Sequence, residues 1–122
     1  MKTPKFCGLR RCAGVHLAAI ALNARTNGVD VEVSRSDLLD GDGGGADVVL
    51  AGDVFYNDTM AERMLRFLER AVARGARVLV GDPGRAYLPH DRLEVVASYE
   101  VSMIGAAEDA EIRQAHVLQP RP

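Results

Sequence analysis

The chain has 122 residues, 48% of them apolar and 26% charged, which suits one ordinary globular domain with a two- or three-layer core. A formal net charge of -2 gives no electrostatic footprint for nucleic acid, and no cationic amphipathic stretch or long apolar run points to a membrane surface or span. Cys7 and Cys12, with no second cysteine pair and no histidine cluster beside them, do not make a zinc site. No metal centre is expected, and two unpaired thiols suit a reduced, cytoplasmic protein.

In chain order, residues 1–14 follow no period, with Pro4, Gly8 and Gly14 interrupting, and are expected to be an irregular segment. Val15, Ala19, Ile20 and Leu22 fall at helical spacing, and Asn27-Gly28 is a helix stop of the left-handed kind. Val29, Val31 and Val33 then alternate with polar residues, as in a short edge strand. Gly41–Gly45 holds four glycines and one aspartate. A phosphate cradle would need those glycines to lead into a helix, whereas they lead into a strand, so a connector is the expected reading.

Asp47 opens the apolar run Val48–Ala51, which predicts a strand buried on both faces and ending in Gly52-Asp53-Val54-Phe55-Tyr56. Thr59-Met60-Ala61-Glu62 matches a capping box. Behind it, Met60, Met64, Leu65, Phe67, Leu68, Ala71 and Val72 mark one face of a helix that stops at Gly75. Arg63, Arg66, Arg70 and Arg74 lie on the other face with Glu62 and Glu69, which predicts a solvated surface. Ala76–Val80 is a second apolar strand running into Gly81-Asp82-Pro83-Gly84-Arg85.

Strand, helix and strand in that order form a right-handed parallel βαβ unit, so Asp53 and Asp82 should lie at the same carboxyl edge on neighbouring strands. Ligands bind at such edges, and Asp53, Tyr56, Asp82 and Arg85 there could hold a cationic or polar substrate. The competing reading is two plain turns, with Pro83-Gly84 as a tight-turn dipeptide and the aromatics capping the core. Val95, Val96, Val101 and Met103, then residues 111–118, predict an antiparallel C-terminal hairpin with residues 120–122 as a frayed tail.

The segments Ala18–Asn23, Asp47–Tyr56 and Arg77–Arg85, with the closing hairpin, resemble the class I S-adenosylmethionine-dependent methyltransferases. Within that class they are similar to the electron-transfer-flavoprotein β-subunit lysine methyltransferases and their nicotinamide N-methyltransferase-like relatives. The resemblance covers residues 15–119 as one α/β domain. It implies a partial Rossmann-like sheet, mostly parallel, with the antiparallel hairpin and without the family's first two strands. It also implies S-adenosyl-L-methionine as cofactor, met by Asp37 with Leu38 at the adenine and by Gly52.

By the same resemblance Asp53 holds the substrate amine, Phe55 and Tyr56 wall its slot, and Asp82 and Arg85 contribute to substrate binding. The acceptor would be a protein lysine or a small amine. Two of the family's features have no counterpart in these residues: a glycine-rich turn before residue 15, and an acid for the ribose hydroxyls, where Arg11 and Ala13 stand. A rival expectation follows, a non-catalytic module that binds a partner or forms a homodimer through an exposed sheet edge.

Overall fold

The computed structural model describes residues 5–7, 13–34, 38–102 and 112–122, and the chain divides between Asp40 and Gly41 into two units. In the first, strand β1 (Lys5–Cys7) pairs in parallel with β2 (Glu32–Ser34) across helix α1 (Ala13–Thr26), and a 3-10 turn covers Leu38–Asp40. The N-terminal segment expected to be irregular therefore supplies a strand, too short for a period-2 signal to register. β2 also starts later than the valine alternation predicts, because α1 ends in a Schellman motif that consumes Val29. Gly28 has φ 64, its N–H donates to Arg25 O, and Val29 N–H donates to Ala24 O.

The second unit is a four-stranded sheet in the order β3 (Val48–Gly52), β4 (Arg77–Asp82), β6 (Ile112–Pro120), β5 (Leu93–Ser102), with helix α2 (Asp58–Ala73) packed on β4. β3 and β4 are parallel and in step, from Val48 opposite Arg77 to Gly52 opposite Gly81. The hairpin is antiparallel as predicted, and its later strand β6 lies between β4 and β5. An extra residue between Val95 and Ala97 makes a bulge that resets the β5 register. Met103, read as strand, lies outside the described residues.

α2 forms where the apolar spacing places it, and its stripe of Met64, Phe67, Leu68 and Ala71 is buried against the sheet. Each of the three large side chains contributes roughly 1.5–3 kcal/mol by burial. The helix begins two residues earlier than the capping box predicts: Asn57 is the cap, and its side chain accepts from Met60 N–H at 2.8 Å. Asn is among the best caps, and it outcompetes Thr59 because Asp58 already has helical geometry. At the other end Gly75, φ 95, closes a second Schellman motif with Ala76 N–H donating to Ala71 O.

The core-facing side of the sheet carries Ala51, Val78, Val80 and Leu118, all buried, and Phe55, Leu88 and Leu93 close its margins. β3 departs from its predicted burial on both faces, since Leu50 is 72% and Val48 50% exposed. It is an edge strand of this sheet, paired only with β4 within it. The last residues are tied rather than frayed, because Arg121 N–H donates to Arg92 O at 2.9 Å and Arg121 Nη2 to His90 O.

The glycine loop is fastened to α2. Arg70 Nε donates to Gly41 O and Arg74 Nε to Asp42 O, so these two arginines, read as merely solvated, tie the loop carbonyls down. Gly43 has φ 87, and a Cβ there would lie 2.9 Å from Arg74 Nη2 and 3.3 Å from Val49 Cγ2. Gly43→Ala is therefore expected to destabilise the chain by about 1–3 kcal/mol, read as a lower urea midpoint at unchanged slope.

Candidate functional site

The β3–β4 register carries both acids off the sheet at one edge. Asp53 follows Gly52 with φ 47, a left-handed conformation that Asp tolerates better than most residues. Its N–H donates to Gly81 O at 2.8 Å, which extends the ladder by one bond and fixes the Cα. The carboxylate is thus presented from a backbone with little freedom.

Arg85 meets that carboxylate as a fork. Its Nε donates to Asp53 Oδ1 at 2.8 Å and its Nη2 to Asp53 Oδ2 at 2.9 Å. Bidentate charge-assisted pairs of this kind are geometrically specific. Both side chains remain about half exposed, at 48% for Arg85 and 50% for Asp53. The guanidinium hydrogen bonds hold the Asp53 carboxyl below the usual carboxylate range against the opposing effect of desolvation, with a smaller contribution from the Arg85 charge. Reciprocally, Asp53 pushes the Arg85 guanidinium further up.

Asp82 does something different from the substrate contact expected of it. It is 2% exposed, and its Oδ2 accepts from Gly84 N–H at 2.7 Å and Arg85 N–H at 2.8 Å. Its Oδ1 is buried without a hydrogen-bond partner. The side chain folds back over the Asp-Pro-Gly-Arg turn, in which Gly84 has φ 98, and so sets where Arg85 starts. Asp82→Ala should cost about 2–4 kcal/mol, because two turn N–H groups lose their acceptor. The same variant should loosen Arg85, seen as broadened Arg85 Nε–H resonances.

The remaining expected site residues divide. Tyr56 is 42% exposed and can face a ligand, whereas Phe55 is fully buried and does not wall a slot. Gly52 lies at the strand end with open space where a Cβ would be. Asp37 lies outside the described residues, and of Leu38 only the backbone turn is described. The described residues do not by themselves fit S-adenosylmethionine: Gly52 leaves room but brings no polar side chain, and the acid expected at the adenine is not among them.

An open groove of about 350 Å³ lies beside the Asp53–Arg85 pair, lined also by Val101, Arg113 and Gln114 of the hairpin. His116 sits opposite Asp82 in the β4–β6 register, and its Nδ1 is 2.8 Å from Ser98 Oγ. Nothing in the sequence pointed to His116, since its neighbours are set by strand pairing and the β5 bulge. Among the described residues no group of His, Cys, Asp or Glu could hold a metal ion, and no helix is long and apolar enough to cross a membrane.

A parallel pair extended by an antiparallel hairpin whose last strand lies inside, with an acid at the tip of the leading strand, is the sheet expected of a class I S-adenosylmethionine-dependent methyltransferase. The solved structure of Streptococcus pneumoniae Sp1610, described as a putative tRNA (m1A22) methyltransferase, covers 98% of this chain with a TM-score of 0.52 at 14% identity, over 53% of its own length. That likeness establishes the fold. By sequence the chain is similar to electron transfer flavoprotein β-subunit lysine methyltransferases. The Rattus norvegicus protein is 36% identical over 69 residues, and the Xenopus laevis protein 30% identical over 90 residues.

Fold and sequence thus agree that the chain is related to the class I S-adenosylmethionine-dependent methyltransferases. The matches take in 55% and 69% of this chain but only 27% and 37% of those proteins, so it spans about a third of the relatives' length. No family model matches the sequence.

Proposed function

We propose that this chain carries the acceptor side of an S-adenosylmethionine-dependent N-methyltransferase, with Asp53 holding the nitrogen to be methylated. One observation supports this above the rest: a carboxylate fixed at a parallel strand end already binds a cationic N–H donor through both oxygens. Methyl transfer to nitrogen needs an amine whose lone pair is aligned, and fixed polar groups provide that alignment. A carboxylate held below its usual range is a poor proton acceptor near neutrality, so Asp53 would orient the nitrogen while the ammonium loses its proton to solvent before transfer. Tyr56, exposed three residues on, is the aromatic candidate.

The relatives are named for protein lysine methylation, which favours a lysine side chain over a free amine as acceptor. A reducing, cytoplasmic setting is part of this reading and rests on Cys7 and Cys12.

Calorimetric titration of the purified chain with S-adenosylhomocysteine, its solution mass determined on the same sample, is the direct test. Micromolar binding supports the reading and opens a screen of lysine peptides. No binding by a folded chain would leave the methyltransferase relationship as ancestry. A second reading, a non-catalytic module that pairs with itself or a partner through an open sheet edge, draws support from exposed Val48 and Leu50 on the edge strand β3. A dimeric mass without cofactor binding would favour it.

A further inference from the structure

We propose that Arg85 is a built-in surrogate for the methyl acceptor: it occupies the Asp53 carboxylate until an alkylammonium side chain exchanges with it. This rests on Asp53 being the acceptor site and adds how that site is kept closed and which cation opens it.

Three features carry the inference. First, the fork uses both Asp53 oxygens, so an incoming ammonium would have to share or replace donors that already take the best directions. Second, the pair is half exposed, and an ion pair open to solvent is only weakly stabilising, so exchange for another cation faces a low thermodynamic barrier. Third, both ends of the pair are anchored through backbone. Asp53 N–H is held by Gly81 O, and Asp82 Oδ2 holds the N–H groups of Gly84 and Arg85. The Arg85 stem can swing away while the turn and the carboxylate stay in place.

The open groove beside the pair, of about 350 Å³ and lined also by Val101 and Arg113, falls within the usual size of a small-ligand site. The arrangement also has a consequence for selectivity. With Arg85 seated, the edge presents a neutralised pair, so neutral amines and anions gain nothing from Asp53. A cation that reproduces the contacts of Arg85 gains a carboxylate. The affinity measured for such a cation is the intrinsic affinity reduced by the fraction of molecules in which Arg85 is away.

The test is binding of n-butylammonium, a lysine side-chain probe, followed by amide shifts of Gly52, Asp53 and Gly84 at fixed low ionic strength. Wild type, Arg85→Gln, Arg85→Lys, Asp53→Asn and the Arg85→Gln/Asp53→Asn pair are compared, with n-butanol as the uncharged control. Arg85→Gln is expected to bind the probe more tightly, by up to about fivefold, the weight of an exposed pair. Arg85→Lys keeps the charge without the fork and should fall between Arg85→Gln and wild type. The double variant should lose the gain.

A purely structural role for Arg85 would lower affinity or leave it unchanged, so unchanged or weaker binding by folded Arg85→Gln overturns the surrogate. If Asp53→Asn still abolishes binding in that case, the acceptor reading survives alone. If Asp53→Asn has no effect in either background, both are overturned.

Discussion

Phe55→Ala is expected to destabilise the chain by about 3–5 kcal/mol, the largest stability effect of any single substitution considered for this fold. Phe55 is fully buried next to buried Val54, and deleting its ring removes transfer energy and leaves a cavity that the β-sheet cannot collapse into. Urea unfolding should show a much lower midpoint at unchanged slope. The resemblance had implied that this ring walls an acceptor slot. A slot residue would lose acceptor binding with little change in stability, so the two roles separate in one experiment.

Asp53→Asn carries the largest expected effect on function. Asparagine keeps the tolerance for φ 47 and nearly the same shape, so the fold should stand, with a stability change within about 1 kcal/mol. It removes the charge that holds the amine in the proposed function, so any methyl transfer this chain supports should fall by roughly a hundredfold or more. The wild-type carboxyl is depressed in the folded chain, so the Asp53–Arg85 pair contributes stability above the ordinary carboxyl pKa of about 3.9. That contribution disappears as pH falls through the lower folded value. In Arg85→Gln the Asp53 carboxyl should titrate higher, nearer the ordinary carboxylate range, measurable by carbon-detected NMR.

Much of the architecture was legible because its signals are local. The apolar stripe of α2, the runs of β3 and β4 and the glycine stops after both helices each reflect a period or a backbone need that a few adjacent residues express. The cap was misplaced by two positions because Asn57 and Thr59 both satisfy the local rule, and only the path of the chain entering α2 chooses between them. β1 was missed because three residues carry too little pattern. The burial of β3 was overstated because a run of Val and Leu does not reveal whether the strand is central or an edge.

The site followed the same division. That Asp53 and Asp82 leave the sheet at one edge was determined by the sequence alone, since a strand-helix-strand order with a right-handed crossover allows no other placement. Their roles were decided only by the tertiary structure. Pairing of Gly52 with Gly81 and the left-handed turn at Asp53 direct one carboxylate outward onto Arg85. Closure of the Asp-Pro-Gly-Arg turn draws the other inward to its own amides. Which oxygen meets which donor depends on distances of a few tenths of an ångström between residues as far apart as Asp53 and Arg85. Hydropathy and spacing do not encode such distances; strand register and turn closure do.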